Sequence, residues 1–370
     1  MELVYSDMTS ALDLKEGVSR YIYEIMSRIY CSEDKYAFDA KCTLSSALMH
    51  WKNYKSLYPF KISIVPERSK NIYTSSKYEG KLYNHIAKTK AHNFIFWANW
   101  VPVADIDGKV ITVLHDLNPL YVLSGKELDS YKQKIKRTIS VSDCIVTVSN
   151  YSKEDICEKL NCPASKIRVV YGGVNLNNYN SSVSQDKNNV LIKKYSLPDN
   201  FFLYFGSTKR NKNILTIIEA LQYVSLNGFK FVCSNTEKYL EDYAAKVGVK
   251  DKIVFLHGVD EEDKIALYKK ARFSIFISKQ EGFGLPIIES QASGTPIIVS
   301  NASCLPEVAG EGALYVDPDN TKDVADKIGL FLNNPDLLKE YKYKGLQNAN
   351  KFSFDNSANV FLKIMEDTFI

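Results

Sequence analysis

The stretch RFSIFISKQEGFGLPIIESQASGTPIIVS, residues 272–300, has the clearest strand–helix–strand pattern in the chain. RFSIFI (272–277) and TPIIVS (295–300) are short runs of β-branched and aromatic residues, which are typical of buried strands. Between them Pro286 suits the first turn of a helix, and Gly294 suits the residue that follows its end. The stretch therefore predicts a βαβ unit with two parallel strands.

The same alternation continues on both sides of this unit and predicts an α/β protein with parallel sheets. Strands are predicted at 94–97, 109–114, 144–148, 166–171, 201–206, 229–234, 252–257, 272–277 and 295–300. Helices are predicted at 18–30, 126–140, 151–160, 213–226, 236–247, 261–270, 286–293 and 321–333, and in the C-terminal run FSFDNSANVFLKIMEDTF.

The length of 370 residues indicates two domains, at roughly 150 residues each. The segment at 175–189 is rich in Asn and Ser and is typical of a linker. We therefore predict a Rossmann-like, doubly wound domain at 1–176, a second at 190–350, and a last helix at 351–370 that packs back towards the first domain. Ligands of such sheets bind beyond the carboxyl ends of the strands, so we expect the site in a cleft between the domains.

The composition, 45% hydrophobic and 24% charged, is that of a globular protein. The sequence has no apolar run near the ~18 residues that a membrane span needs, and we expect no secretory signal. The seven cysteines form no C-x-x-C pair, which favours reduced thiols and a cytoplasmic location. A net charge of +4 gives no reason to expect a nucleic-acid partner.

Residues 51–90 form a basic and aromatic patch. Tyrosine, tryptophan and phenylalanine rings lie among its cations, a mixture that suits a membrane interface with anionic headgroups. The alternative is a solvated face over a tyrosine-rich core. The cations are Lys52, Lys55, Lys61, Arg68, Lys70, Lys77, Lys81, Lys88 and Lys90.

Residues 278–294 carry the strongest pattern for a binding site. Gly282 and Gly284 let the backbone approach a ligand, and their amides with the positive end of the helix suit phosphate or sugar hydroxyls. Glu281 precedes the helix and Glu289 lies about one turn inside it. A carboxylate accepts two hydrogen bonds and therefore fits vicinal sugar hydroxyls. The alternative is a pair of solvated carboxylates at an ordinary turn.

A second pattern, YFGSTKRNKNI (204–214), ends a strand at Gly206 and places three cations before a helix. Cations held there would stabilise negative charge that develops on a leaving group. A solvated basic helix start is the alternative.

The run EGFGLPIIE (281–289) has two glutamates separated by seven residues. It resembles the donor motif of retaining GT-B glycosyltransferases, specifically glycosyltransferase family four. The following GTPIIVSNASCLPEVAGEGALYVDPDN (294–320) is similar to the segment after that motif. The resemblance implies two Rossmann-like domains that face a cleft, with the acceptor on the N-terminal side and the nucleotide-sugar donor on the C-terminal side.

The resemblance also implies roles for individual residues. Glu281 would contact the transferred sugar, and Glu289 would bind the ribose hydroxyls of the nucleotide. Lys212 matches the lysine beside the diphosphate, whereas Asn211 stands where relatives often have an arginine; whether Arg210 takes its place stays open. The donor would also be lined by Gly206, Ser207, Gly282, Phe283, Gly284 and Leu285.

In the N-terminal half KVITVLHDLNPL (109–120) resembles the family's His-Asp pair at the active site. A neutral His115 could bind a donor-sugar hydroxyl, and its carbonyl could face the charge that grows on the anomeric carbon. A structural His115 and an Asp116 that caps the turn are the alternatives. GVSRY (17–21) resembles the glycine-rich loop at the donor or acceptor, and Gly17 is either a contact or a plain turn.

These expectations together describe a retaining hexosyltransferase. We expect GDP-mannose as the donor, ahead of UDP-hexoses and dTDP-deoxyhexoses. The expected acceptor is a glycan or a polyprenyl-diphosphate-linked sugar in O-antigen or capsule synthesis. The resemblance implies no cofactor and no metal, and it favours action at the inner face of the plasma membrane. The alternatives are a nucleotide-sugar epimerase and a non-catalytic sugar-binding scaffold; a dehydrogenase lacks its G-x-G-x-x-G sequence here.

Overall fold

A computed structural model describes residues 2–8, 17–32, 36–43, 62–65, 89–97, 106–180 and 185–369. The chain forms two compact units. The first unit comprises Met1–Gly172 and Phe354–Ile370, and the second comprises Gly173–Ser353. The chain therefore passes from one unit to the other twice.

The first unit contains a parallel sheet of seven strands in the order β3-β2-β1-β4-β5-β6-β7. Its strands are β1 (Glu2–Asp7), β2 (Tyr36–Thr43), β3 (Ile62–Val65), β4 (Asn93–Phe96), β5 (Lys109–Val113), β6 (Cys144–Thr147) and β7 (Ile167–Val169). Its helices before the crossing are α1 (Gly17–Ser32), α2 (Asn118–Val122), α3 (Gly125–Val141) and α4 (Asn150–Leu160).

The second unit contains a parallel sheet of six strands in the order β10-β9-β8-β11-β12-β13. Its strands are β8 (Phe201–Tyr204), β9 (Lys230–Cys233), β10 (Ile253–Phe255), β11 (Ser274–Phe276), β12 (Ile297–Ser300) and β13 (Ala313–Val316). Its helices are α5 (Leu176–Asn180), α6 (Gln185–Tyr195), α7 (Ile214–Ala220), α8 (Lys238–Lys246), α9 (Glu261–Lys270), α10 (Leu285–Ala292), α11 (Leu305–Ala309), α12 (Thr321–Asn333) and α13 (Pro335–Ala349).

The strand order of each sheet reverses once, and this reversal fixes where a ligand can bind. In the second unit the order runs from β10 to β8 and then continues from β11 to β13, so β8 and β11 are neighbours. The segments that follow two such strands run in opposite directions. A crevice therefore forms at the carboxyl ends of the two strands. The loops at 205–213 and 277–284 flank that crevice.

The last helix, α14 (Phe354–Phe369), is part of the first unit. Its Phe361 stacks on Trp97 with ring centroids 5.0 Å apart, and both side chains are fully buried. Arg28 on α1 pairs with Asp355 at 2.5 Å. The amphipathic pattern of the C-terminal run is thus explained by a buried face against the first unit.

All the predicted strands overlap observed strands, and the α/β, two-Rossmann architecture is confirmed. The segment at 175–189 differs from the predicted linker, because it contains α5 and the start of α6. Leu191 on α6 is buried in the same core cluster as Phe201 on β8, so α6 packs on the second sheet. Its apolar face was not predicted, because the segment before it is rich in Asn and Ser.

Within the part of the chain that the structure describes, no helix is both long enough and apolar enough to cross a membrane.

Candidate functional site

The crevice of the second unit holds an ion pair formed by one residue from each flanking loop. Lys212 ends the 3-10 turn Arg210–Lys212 after β8, and Glu281 lies in the loop after β11. Lys212 Nζ is 2.5 Å from Glu281 Oε1, and the two side chains are 16% and 11% exposed. The structure therefore brings together two of the residues that the sequence selects, at the edge of the sheet where ligands bind.

Asn211 joins the two loops through its backbone and its side chain. Its Nδ2 donates to the carbonyl oxygen of Gln280 at 3.0 Å, and its own carbonyl accepts from the Lys279 amide and the Ser278 hydroxyl, both at 2.8 Å. The residue that departs from the family pattern thus ties together the two loops that carry Lys212 and Glu281. Arg210, next to it, is exposed.

Two residues that follow β12, Ser303 and Cys304, hold the backbone of Glu281 in place. The Ser303 hydroxyl accepts from the Glu281 amide at 3.1 Å and donates to the Glu281 carbonyl at 2.8 Å. The Cys304 thiol lies 3.3 Å from the Glu281 carbonyl oxygen and 3.2 Å from that of Phe283. Because both sides of the loop are tied to their neighbours, the Glu281 side chain starts from a fixed backbone.

Helix α10 begins as the sequence predicts. Gly284 precedes it with φ +98°, a value that glycine adopts without strain, and Pro286 lies in the first turn. A Cβ at Gly284 would lie 2.9 Å from Leu305 Cδ2, so the position also lacks room for a side chain. At the other end Gly294 has φ +71° and follows the last turn. Gly282 and Phe283 are buried, and Leu285 is half-buried.

Glu289 forms a second ion pair, with Lys264 on α9. Lys264 Nζ is 2.7 Å from Glu289 Oε1, and each side chain is only 4% exposed. The Lys264 nitrogen also lies 5.7 Å from the ring centroid of Phe205, the residue that follows β8. Lys264 is not among the site residues that the sequence predicts. The available signal was a lysine on the apolar face of a helix, three residues before the buried Leu267.

Gly206 and Ser207 follow β8 and are held by the neighbouring loop after β9. The Gly206 amide donates to the Ser234 hydroxyl at 3.2 Å, and its carbonyl accepts from Asn235 Nδ2 at 2.8 Å. The hydroxyl of Tyr204 donates to the Ser207 carbonyl at 2.6 Å. The Gly206 amide is therefore already hydrogen-bonded within the protein. Ser207 is exposed.

His115 lies in the first unit, just after β5, and is buried. Its ring meets the ring of Tyr21 edge-on with centroids 5.2 Å apart. Burial lowers the pKa of His115 to about 4, so the imidazole is neutral at pH 7. Its carbonyl accepts from the Thr147 hydroxyl at 3.3 Å. The carbonyl that the sequence analysis assigns to the reaction therefore has a partner within the sheet.

Two further expectations concern the first unit. Asp116 accepts from the amide and the side chain of Asn118 at 2.8 and 2.9 Å, which is the turn-capping alternative. Gly17 is the first residue of α1 and is exposed. The basic and aromatic patch at 51–90 lies outside the described residues except at 62–65 and 89–90.

Two family models match the chain. Residues 188–348 match "Glycosyl transferases group 1", and residues 76–178 match "Glycosyltransferase Family 4". The first lies within the second unit and contains the two lysine–glutamate pairs.

Curated relatives include two mannosyltransferases. The chain is 33% identical over 257 residues to the O-antigen chain mannosyltransferase RfbU of Salmonella typhimurium, an alignment that covers 67% of this chain and 66% of RfbU. It is 26% identical over 278 residues to the serotype-specific mannosyltransferase WbdA of Escherichia coli, across 71% of this chain. The chain thus spans just under two thirds of RfbU and about a third, 34%, of WbdA.

Solved structures share the fold. The glycosyltransferase Alr3699/HepE of Anabaena, determined in complex with UDP-glucose, superposes with a TM-score of 0.80 at 12% identity, over 99% of this chain and 100% of HepE. The predicted resemblance to glycosyltransferase family four and the predicted GT-B fold are thus confirmed. The chain belongs to the GT-B glycosyltransferases of family four.

Proposed function

We propose that the chain transfers a hexose, with mannose as the first choice, from a nucleotide sugar to a sugar hydroxyl with retention of anomeric configuration. The observation that carries this proposal is the Lys212–Glu281 pair at the crevice of the second sheet, beside the start of α10. It combines a carboxylate for sugar hydroxyls, a cation for a diphosphate and the positive end of a helix.

The proposed reaction breaks the bond between the anomeric carbon and the diphosphate oxygen, and forms a bond from the anomeric carbon to the acceptor oxygen. The acceptor attacks from the face that the diphosphate leaves, and the departing phosphate oxygen takes the hydroxyl proton. No protein base is needed, so the protein contributes positioning and charge. Lys212 would exchange Glu281 for the diphosphate, with Arg210 as a second cation, while Glu281 turns to the sugar.

His115 fits this reaction as a neutral hydrogen-bonding group. An imidazolium would place a positive charge near an anomeric carbon that is itself becoming positive, and burial of His115 prevents that charge at neutral pH. We propose that His115 hydrogen-bonds a hydroxyl of the donor sugar. Gly17 and the turn at Gly206 and Ser207 are proposed to line the donor.

The relatives support mannose and a surface polysaccharide. RfbU is an O-antigen chain mannosyltransferase and WbdA a serotype-specific mannosyltransferase by name. We therefore propose GDP-mannose as donor and a glycan or polyprenyl-diphosphate-linked acceptor. Both family models are those of glycosyltransferases, so the epimerase alternative has no support from them.

The donor is tested first by thermal shift with GDP, UDP and dTDP, because a ligand that binds only the folded protein raises its melting temperature. Transfer is then measured with the matching labelled nucleotide sugar, and the anomeric configuration of the product is determined by NMR. We expect GDP to give the largest shift and the product to keep the α configuration of the donor. An inverted product would contradict the retaining mechanism, and no shift with any nucleotide would contradict the donor site.

A non-catalytic, sugar-binding scaffold is the second candidate, because Asn211 replaces an expected arginine and is used to join two loops. Glu281→Ala separates the two candidates. If the protein is a transferase, turnover falls while GDP still raises the melting temperature. A scaffold would show no turnover in the wild type and no difference in the variant.

We further propose that transfer needs no metal ion, because Lys212 and Arg210 supply the positive charge. Transfer should be unchanged in excess EDTA, and a loss that magnesium or manganese restores would overturn this.

For a lipid-linked acceptor, residues 51–90 are proposed to contact the inner face of the plasma membrane. Sedimentation with anionic liposomes at low and high salt tests the contact, and equal, negligible binding at both would contradict it.

A further inference from the structure

Lys264 lies on the buried face of helix α9, where apolar residues are usual. It lies on α9, one turn before Leu267 and Tyr268, which are both buried in the core of the second unit. Of the lysines that the structure describes, Lys264 alone is buried, with 3% of its surface exposed. Removing an ammonium group from water is costly, so its position has to be explained.

Stability does not explain the position. A buried ion pair is on balance often no more stabilising than apolar side chains of the same volume, because desolvation offsets the attraction. What the pair does achieve is geometric. Lys264 binds one oxygen of Glu289 at 2.7 Å and lies over the ring of Phe205. It therefore holds the Glu289 carboxylate in one orientation relative to the end of β8.

We propose that Lys264 is the positioning residue of the nucleotide site, and that through Glu289 it determines how well the protein distinguishes a ribonucleotide from its 2′-deoxy analogue. This inference rests on the proposed function, in which Glu289 binds the ribose hydroxyls. Because Lys264 holds Oε1, the Glu289 carboxylate keeps one orientation, in which it would accept hydrogen bonds from those hydroxyls. The ion pair also cancels the charge of Glu289, which would otherwise repel the diphosphate of the same ligand.

The test compares dissociation constants for GDP and 2′-deoxy-GDP, or for the UDP pair if thermal shift selects UDP. The wild type should prefer the ribonucleotide by about tenfold, as expected for a hydrogen bond to a charged group. In Lys264→Met we expect the preference to fall to about twofold or less. The KM for the donor should rise while kcat changes little, because the lost contact is made equally in the ground and transition states.

Lys194→Met is the matched control. Lys194 pairs with Asp263, the neighbour of Lys264 on α9, at 2.6 Å, but its side chain is 42% exposed. This variant also removes a lysine–carboxylate pair from α9, so it should keep the full ribose preference. The preference is a ratio of two affinities of the folded protein and does not depend on the fraction that is folded.

Glu289→Gln and the double variant Glu289→Gln/Lys264→Met provide a test in case Lys264→Met folds poorly, because the double variant buries no charge from this pair. If Lys264 acts only through Glu289, the double variant binds GDP as weakly as Glu289→Gln. Additive losses, or a full ribose preference in Lys264→Met, would overturn the inference and leave the proposed function intact. A wild type that binds GDP without ribose preference overturns the inference alone, whereas a wild type that binds no nucleotide contradicts the donor site itself.

Discussion

Each of the two glutamates of the run EGFGLPIIE has its own lysine: Lys212 contacts Glu281, and Lys264 contacts Glu289. A nucleoside diphosphate is strongly negative at pH 7, and two bare carboxylates in a partly desolvated crevice would repel it. The paired carboxylates carry little net charge but keep oxygens that accept hydrogen bonds from hydroxyls. In the proposed donor site, the two pairs would allow an anion and a sugar to bind at the same time.

Lys212→Met tests the proposed role of this cation in the reaction. We expect kcat to fall by a factor on the order of 10² or more, because a preorganised charge at a leaving group stabilises the transition state most. The measurement is single-turnover transfer at saturating donor. Lys279→Met removes an exposed lysine from the adjacent loop, where its side chain pairs with Asp319, and should keep its kcat. Equal losses in both variants would show a general effect of charge.

His115 provides a prediction on pH. Its pKa is about 4 in the folded protein and near the ordinary 6.5 when unfolded, so between these values the unfolded chain binds a proton that the folded chain does not. Folding stability from this group is present above pH 6.5 and is lost as the pH falls towards 4, by about 3 kcal/mol.

Urea unfolding at pH 7.5 and pH 5 measures this effect. The wild type should lose more stability between the two values than His115→Gln does. His257→Gln, at an exposed histidine of the second unit, should behave like the wild type. A pH dependence that is unchanged in His115→Gln would show that His115 is not responsible.

At the scale of elements, the sequence predicted the loop and helix at 277–294 because their signals are local. Gly284, Pro286 and Gly294 each act within one turn of the helix, so a single sequence is enough to place them. Lys264 could not be predicted in the same way. Its role depends on Glu289, 25 residues further along the chain, and only the folded sheet brings α9 and α10 together.

Gly284→Ala tests the start of α10. The substitution requires a positive φ of an alanine, and its Cβ would approach Leu305 Cδ2 to 2.9 Å. We expect a loss of folding stability of about 2–4 kcal/mol, of which the backbone accounts for 1–2 kcal/mol. Gly258→Ala has a similar φ, +77°, with nothing within 4 Å of the new Cβ, and isolates the backbone cost. Equal losses in the two variants, measured by urea unfolding, would show that Leu305 gives way.

For the whole molecule, the two sheets have the same strand order around their reversal, but the sequence signals differ in strength. In the second unit the sequence predicts β8 to β12, because these strands lie in apolar runs such as FFLY in β8. In the first unit β1 reads ELVYSD, and its polar residues hide the strand although its last four residues are buried. The polar residues within β1 and β2 explain why these two strands escaped prediction, whereas β3 (ISIV) and β13 (ALYV) also escaped it although their composition is apolar.

The return of the chain into the first unit gives the last prediction. Phe361 on α14 is fully buried against Trp97, whereas the next residue towards the N-terminus, Val360, is 46% exposed. Phe361→Ala should cost about 3–5 kcal/mol of folding stability, and Val360→Ala should stay within about 0.5 kcal/mol of the wild type. Hydrogen exchange locates the loss: in Phe361→Ala protection should fall in β1, β4 and α1 and stay unchanged in β8–β13. Because the compact units divide the chain after Ser353, a loss of protection spread evenly over both sheets would show that they unfold together.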